Sequence, residues 1–365
     1  MAFVTWPFLA FPLKNRITND DIFSEMDVSA KGSPRLERVK GMDLGVQFRH
    51  FVEPLEVTAK PGDMQVRNAW ALEGMQALAK EAVLGALERA GLAANEIDCI
   101  IVSNSTTPAT PGADVYLVNE IPLRSDILRI PCTQLGCVGG AHALALAAKL
   151  ADGFPGMKVL VVVPEALSVV YQSEDLTLDG LLWRLFFGDS AAACIVSSPQ
   201  NVRDERPPRG ACMKIDAGWH NVVKGTMGTY ELKSRATGHH FLSKSGAQHA
   251  VLKLQEPLSD WLPAGWRPET VIGHPGGPKV LRYMADMLGF PEDPEDAGNP
   301  LGHSWRSLRD YGNLGGAAVL HILAETAAHS PRPGSETLLL ALGPGVVGGA
   351  TRGHMLDPND TPAVA

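Results

Sequence analysis

Two continuous apolar runs, 158–163 and 337–342, constrain this chain more than any other feature. Neither alternates polar with apolar residues, so each reads as a strand covered by helices on both faces rather than one facing water. Each also follows a small-residue helix. Cys137 opens one that ends near Gly153, and Asn313 opens another over 314–329. An earlier pair repeats the theme: a helical run ends at Ala90-Gly91 and a strand starts near Ile97, while Ala264-Gly265 leads to a strand at 271–273. The repeat predicts two pseudo-symmetric βα halves stacked about the two helices, an α/β fold with five layers, α/β/α/β/α. The boundary is expected within 197–208, where Ser, Pro, Asn and Arg cluster, giving halves 1–200 and 201–365. Residues 209–260 are poorly periodic and read as strand and loop, and the tail after Asp357 reads as frayed.

At 365 residues, 45% of them hydrophobic and 20% charged, the chain can bury a substantial core. Its formal net charge of −8 argues against nucleic acid as a main partner. The five cysteines form no metal-ligand spacing and are odd in number, which points to reduced thiols and a cytoplasmic setting. Residues 1–13 lack a basic stretch and contain Pro7 and Pro12, so they do not read as a signal peptide. The apolar run that ends at Pro164 and Glu165 is far too short to cross a membrane.

Three residues stand where chemistry is possible. Cys137, in Gln134-Leu135-Gly136-Cys137-Val138-Gly139-Gly140, lies at a helix start, where free N–H groups and the helix dipole favour a thiolate. His274 ends a strand, before Pro275-Gly276-Gly277, and Asn313 precedes a helix in Tyr311-Gly312-Asn313-Leu314. Singly, each has a plain structural alternative: a packed thiol, a satisfied turn histidine, a helix N-cap. One from the first half and two from the second favour a composite site.

Together with Leu185-Phe186-Phe187-Gly188-Asp189-Ser190, His274-Pro275-Gly276-Gly277-Pro278 and Gly343-Pro344-Gly345, these segments resemble the chalcone-synthase-like, or type III polyketide synthase, family of the thiolase superfold, over roughly residues 40–352. The resemblance implies a homodimeric acyltransferase. It would load an acyl group from a coenzyme A thioester onto Cys137 and extend it by decarboxylative Claisen condensation with malonyl-type thioesters, with no metal or redox cofactor. His274, as a cation, would hold Cys137 ionised. His274 and the Asn313 amide would donate to the enolate oxygen, and the Cys137 backbone N–H to the tetrahedral intermediate.

The same resemblance makes Phe187 and Phe241 a gate, and places Thr106, Leu167, Val170 and Gly315 around the substrate. The Gly343-Pro344-Gly345 turn would approach the cysteine. Leu167, Val170 and Gly315 stand where plant members carry pocket hydroxyls, so a less polar cavity is expected. Ala341-Leu342, in place of the usual aromatic, opens space near the sulfur. The basic cluster for coenzyme phosphates is thin: Arg49 is a candidate, Lys40 and Lys244 are weaker ones, and an acyl carrier protein is an alternative donor. Because no cysteine follows Cys212, thiolase-type chemistry is disfavoured. The alternatives are a ketoacyl-synthase-III-like single-round condensing enzyme, an acyltransferase without iterative extension, and a non-catalytic subunit that shapes a partner's product.

Overall fold

The computed structural model describes residues 1–201, 206–244, 246–296, 298–329 and 331–357. Part of the expected boundary and the tail after Asp357 therefore lie outside the described residues. The two apolar runs are strands, Lys158–Glu165 and Glu336–Gly343. Each pairs in parallel with one strand of its own half, Cys99–Val102 and Thr270–Gly273, and antiparallel with another, Ser190–Ser197 and Val347–Met355. Strand Ala2–Thr5 pairs with both Ser190–Ser197 and Ala211–Val222, joining the two sets into one ten-stranded mixed sheet.

Alternation along these strands defines the layers. Val159, Val161 and Val163 share a core with Ala141, Leu144, Val319 and, from the other sheet half, Leu339 and Ala341. Leu160 and Val162 point the opposite way, onto Ala79, Val83 and Ala86 of helix Met64–Ala90. Leu338 and Leu340 likewise face Leu281, Met284 and Leu308, on helices Pro278–Met287 and Gly302–Tyr311. The central helices, Gly139–Gly153 and Ala318–Ala328, thus lie between two sheet halves that outer helices cover. This is the five-layered, thiolase-like α/β arrangement. The small residues permit it: a Cβ on Gly140 would lie 2.2 Å from the Gly316 carbonyl oxygen.

The region 209–260 is more ordered than its periodicity suggests. Long strand Ala211–Val222 is followed by a hairpin, Tyr230–Arg235 with Gly238–Ser243, and then by a 3₁₀ segment, Ala247–Leu254, and helix Gln255–Trp261. The helical part escaped the reading because its two elements, of 8 and 7 residues, are too short to show a clear period. Among the described residues, no helix is long and apolar enough to cross a membrane.

Candidate active site

Cys137 sits in a single 3₁₀ turn, Gly136–Val138, which leads straight into the central helix Gly139–Gly153. Gly136 has φ +61, and a Cβ there would lie 2.6 Å from Pro344 Cδ, so both backbone angle and proximity require glycine. The Gly136 N–H donates to Ser105 Oγ at 2.6 Å and the Gln134 N–H to the Asn104 carbonyl at 3.1 Å. The cysteine turn is thereby tied to the loop after strand Cys99–Val102. From the other half, the 343–345 turn presses against it, since a Cβ on Gly343 would lie 3.2 Å from the Val138 nitrogen.

His274 follows strand Thr270–Gly273, and its N–H donates to the Leu340 carbonyl at 2.9 Å. Asn313 is pinned by the first half: its N–H donates to the Phe186 carbonyl at 2.7 Å, and its own carbonyl accepts from the Gly188 N–H at 3.1 Å. The Gly315 N–H donates to Asn313 Oδ1 at 2.9 Å. The Asn313 side chain thus folds back on the backbone two residues on without serving as a helix N-cap, and its amide opposes the rise of the Cys137 thiol.

One small cavity of about 60 Å³ is lined by Cys137, His274 and Asn313. A larger chamber of about 480 Å³ also reaches Cys137 and is lined by Thr106, Leu167, Val170 and Gly315. Phe187, Phe241 and Pro344 line both spaces. The two Phe rings meet at 5.4 Å, nearly edge to face, and Trp183 packs on both. Gly343 lines the small cavity. Gly345 lines neither, and its carbonyl accepts from Thr226 Oγ1 at 2.7 Å, which fixes the turn.

The electrostatics differ from the expected ion pair. Burial, reinforced by nearby Glu165, pushes the Cys137 thiol up to about 12, with the Asn313 amide and the cysteine's own backbone N–H opposing. Burial takes His274 down to about 3, and its Nδ1 finds no hydrogen-bond partner among the described residues. Both shifts favour the neutral thiol and the neutral imidazole, because burial penalises either charge.

Two further expectations change. Arg49 is fully buried, with its guanidinium donating to Asn19 Oδ1 at 2.6 Å and to the Leu185 carbonyl at 2.5 Å. It lines neither cavity and packs beside Gly188 and Gly312, so it buttresses the Asn313 turn instead of meeting a coenzyme phosphate. Lys40 pairs with Asp27 at 2.6 Å on the surface, and the Lys244 Nζ lies near Gly228. The chamber, moreover, is mixed: its lining includes apolar Leu167 and Val170 and polar Asn104, Ser105, Thr106 and Glu165.

Glu165 and Trp183 escaped the sequence reading. Glu165 is buried at the end of its strand, accepts from Thr106 Oγ1 at 3.0 Å and from the Ser105 N–H at 3.2 Å, and is raised to about 7 by burial. A carboxylate closing an apolar run was the available signal.

A family model for the N-terminal domain of chalcone and stilbene synthases matches residues 53–199. The chain is 35% identical over 316 residues to the 1,3,6,8-tetrahydroxynaphthalene synthase of Streptomyces peucetius subsp. caesius, covering 82% of this chain and 78% of that protein. In structure it resembles germicidin synthase from Streptomyces coelicolor, a type III polyketide synthase, with TM-score 0.89, 34% identity and coverage of 97% and 99% of the two chains. The 1,3,6,8-tetrahydroxynaphthalene synthase of Streptomyces coelicolor superposes with TM-score 0.87 at 26% identity, covering 97% and 99%. The thiolase-like α/β fold and these likenesses agree: the chain belongs to the type III polyketide synthases, decarboxylating and condensing transferases.

Proposed function

We propose that this chain loads an acyl group from a coenzyme A thioester onto Cys137 and extends it iteratively with malonyl-type thioesters. The observation that carries the assignment is that Cys137, His274 and Asn313, from separate segments, line one cavity that two Phe rings divide from a chamber large enough for product. Loading starts from the neutral pair. As the sulfur attacks the thioester carbonyl, its proton passes to the imidazole and then to the departing coenzyme thiolate. When the malonyl carboxylate leaves as carbon dioxide, the electron pair moves onto the thioester oxygen. A neutral imidazole carrying its proton at Nε2 and the Asn313 Nδ2–H donate to that enolate without needing charge of their own. The enolate carbon then attacks the acyl carbonyl on Cys137, and the sulfur departs as thiolate.

Phe187 and Phe241, stiffened by Trp183, separate incoming thioester from bound chain in this reading. Thr106, Leu167, Val170 and Gly315 shape the starter, and Pro344 with Gly343 and Gly345 props the cysteine turn. We take the halves as 1–200, with the nucleophile, and 201–365, with its two partners. A homodimer is supported by strand Leu128–Pro131, whose outer edge is unpaired among the described residues and largely exposed, with Leu128 47% accessible. A cytoplasmic setting is supported by five cysteines that are all free. The test is incubation with labelled malonyl thioester and a starter panel, read by intact-protein and product mass spectrometry. Acyl-Cys137 with condensed product supports the reading; acyl transfer without a new carbon–carbon bond favours the single-round alternative; no acyl-enzyme refutes both.

A further inference from the structure

Away from the condensing site, helices Gly302–Tyr311 and Ala318–Ala328 run back from the turn that carries Asn313. Midway they are tied by Ser307 Oγ and His321 Nδ1, 2.8 Å apart. At their far end His303 of the first helix meets Glu325 of the second and His329, the residue just past its end, with one potential ligand atom from each within 4.8 Å of the others. We propose that His303, Glu325 and His329 form a binding site for a divalent transition-metal ion of the zinc type, clamping the open end of this helical pair.

Two imidazoles and one carboxylate are the donor set that borderline cations take, with a fourth position left for water. Glu325 lies in the last turn of its helix and His329 is the residue that caps it, so both stand at one helix end. His329 Nδ1 lies 2.7 Å from the Glu325 backbone carbonyl, a contact that only an Nδ1–H can make. Nε2 is left with the lone pair, the outer-sphere device that fixes metal-binding histidines. His303 stands edge-on to His329, with ring centroids 4.8 Å apart. Its Nδ1 accepts from Arg306 Nη2 at 2.8 Å, and since arginine only donates, that nitrogen too carries a lone pair. Arg306 is exposed and long enough to swing aside, so a cation already stands where the metal would bind. Cys137 is not among these ligands, so the site is independent of the condensation chemistry.

Isothermal titration with Zn²⁺, and thermal melts at rising Zn²⁺, test this on the full chain. The expected result is one site per chain, a melting temperature that climbs with metal, and at least tenfold weaker binding in His303→Ala and His329→Ala. Glu325→Gln, which preserves shape, should weaken binding as well, whereas Cys137→Ser should retain the site. Absence of binding, binding indifferent to these three positions, or binding lost only with Cys137 overturns the proposal.

Discussion

The backbone N–H of Gly315 holds Asn313 Oδ1 at 2.9 Å, which leaves the amide nitrogen as the end that can donate, and the same amide opposes the rise of the Cys137 thiol. The same side chain thus closes a turn and presents a donor. Asn313→Ala should cut malonyl decarboxylation by two to three decades, about 2.7–4 kcal/mol of barrier, while acyl-Cys137 still forms. Rapid-quench measurement of carbon dioxide release against acyl-enzyme formation checks it. Equal loss in both steps would mean that Asn313 acts only in closing the turn.

A neutral resting pair has a pH signature. With the Cys137 thiol at about 12 and His274 at about 3, alkylation of Cys137 by iodoacetamide should keep accelerating above pH 9. A rate that levels off near neutrality would reveal a preformed thiolate–imidazolium pair.

Glu165 holds its proton to about 7 in the folded chain, against 4.5 when free. A pKa raised by folding stabilises fully below the unfolded value, and that contribution disappears as pH climbs through the folded one. Relative to Glu165→Gln, the wild type should lose on the order of 3 kcal/mol between about pH 4.5 and 7. Urea unfolding of both proteins across that window measures it, and parallel curves would exclude a protonated buried Glu165.

Gly140→Ala places a methyl 2.2 Å from the Gly316 carbonyl oxygen and 3.0 Å from Val319 Cγ2. The two central helices must part, at a cost of about 1–3 kcal/mol. A urea midpoint shift reports it, and an unchanged midpoint would show that these helices are not in close contact.

The apolar residues of the chamber lining, Leu167 and Val170, should favour longer acyl chains by about 0.8 kcal/mol per buried CH₂. We expect medium-chain starters to load with higher kcat/KM than acetyl, and Leu167→Ala to extend the accepted length. Gly315 is a poorer probe: at φ +57 any side chain strains the turn, and a Cβ would lie 2.9 Å from Leu167 Cδ1. A flat series from acetyl to decanoyl would remove the apolar-pocket account.

The sequence by itself determined the layered fold and the segments that carry Cys137, His274 and Asn313. Apolar strands without alternation and small-residue helices are local patterns, and they allow few arrangements. The chalcone-synthase-like motifs at those positions were equally legible. Only tertiary structure decided how deeply each group is buried, and burial set the chemistry. It favours the neutral forms of Cys137 and His274, makes Arg49 a buried brace, and raises the Glu165 carboxyl. Trp183 against Phe241, and His303 beside His329, likewise meet only because distant segments pack together. Desolvation depends on every neighbour in three dimensions, and a linear pattern of residue types does not encode it.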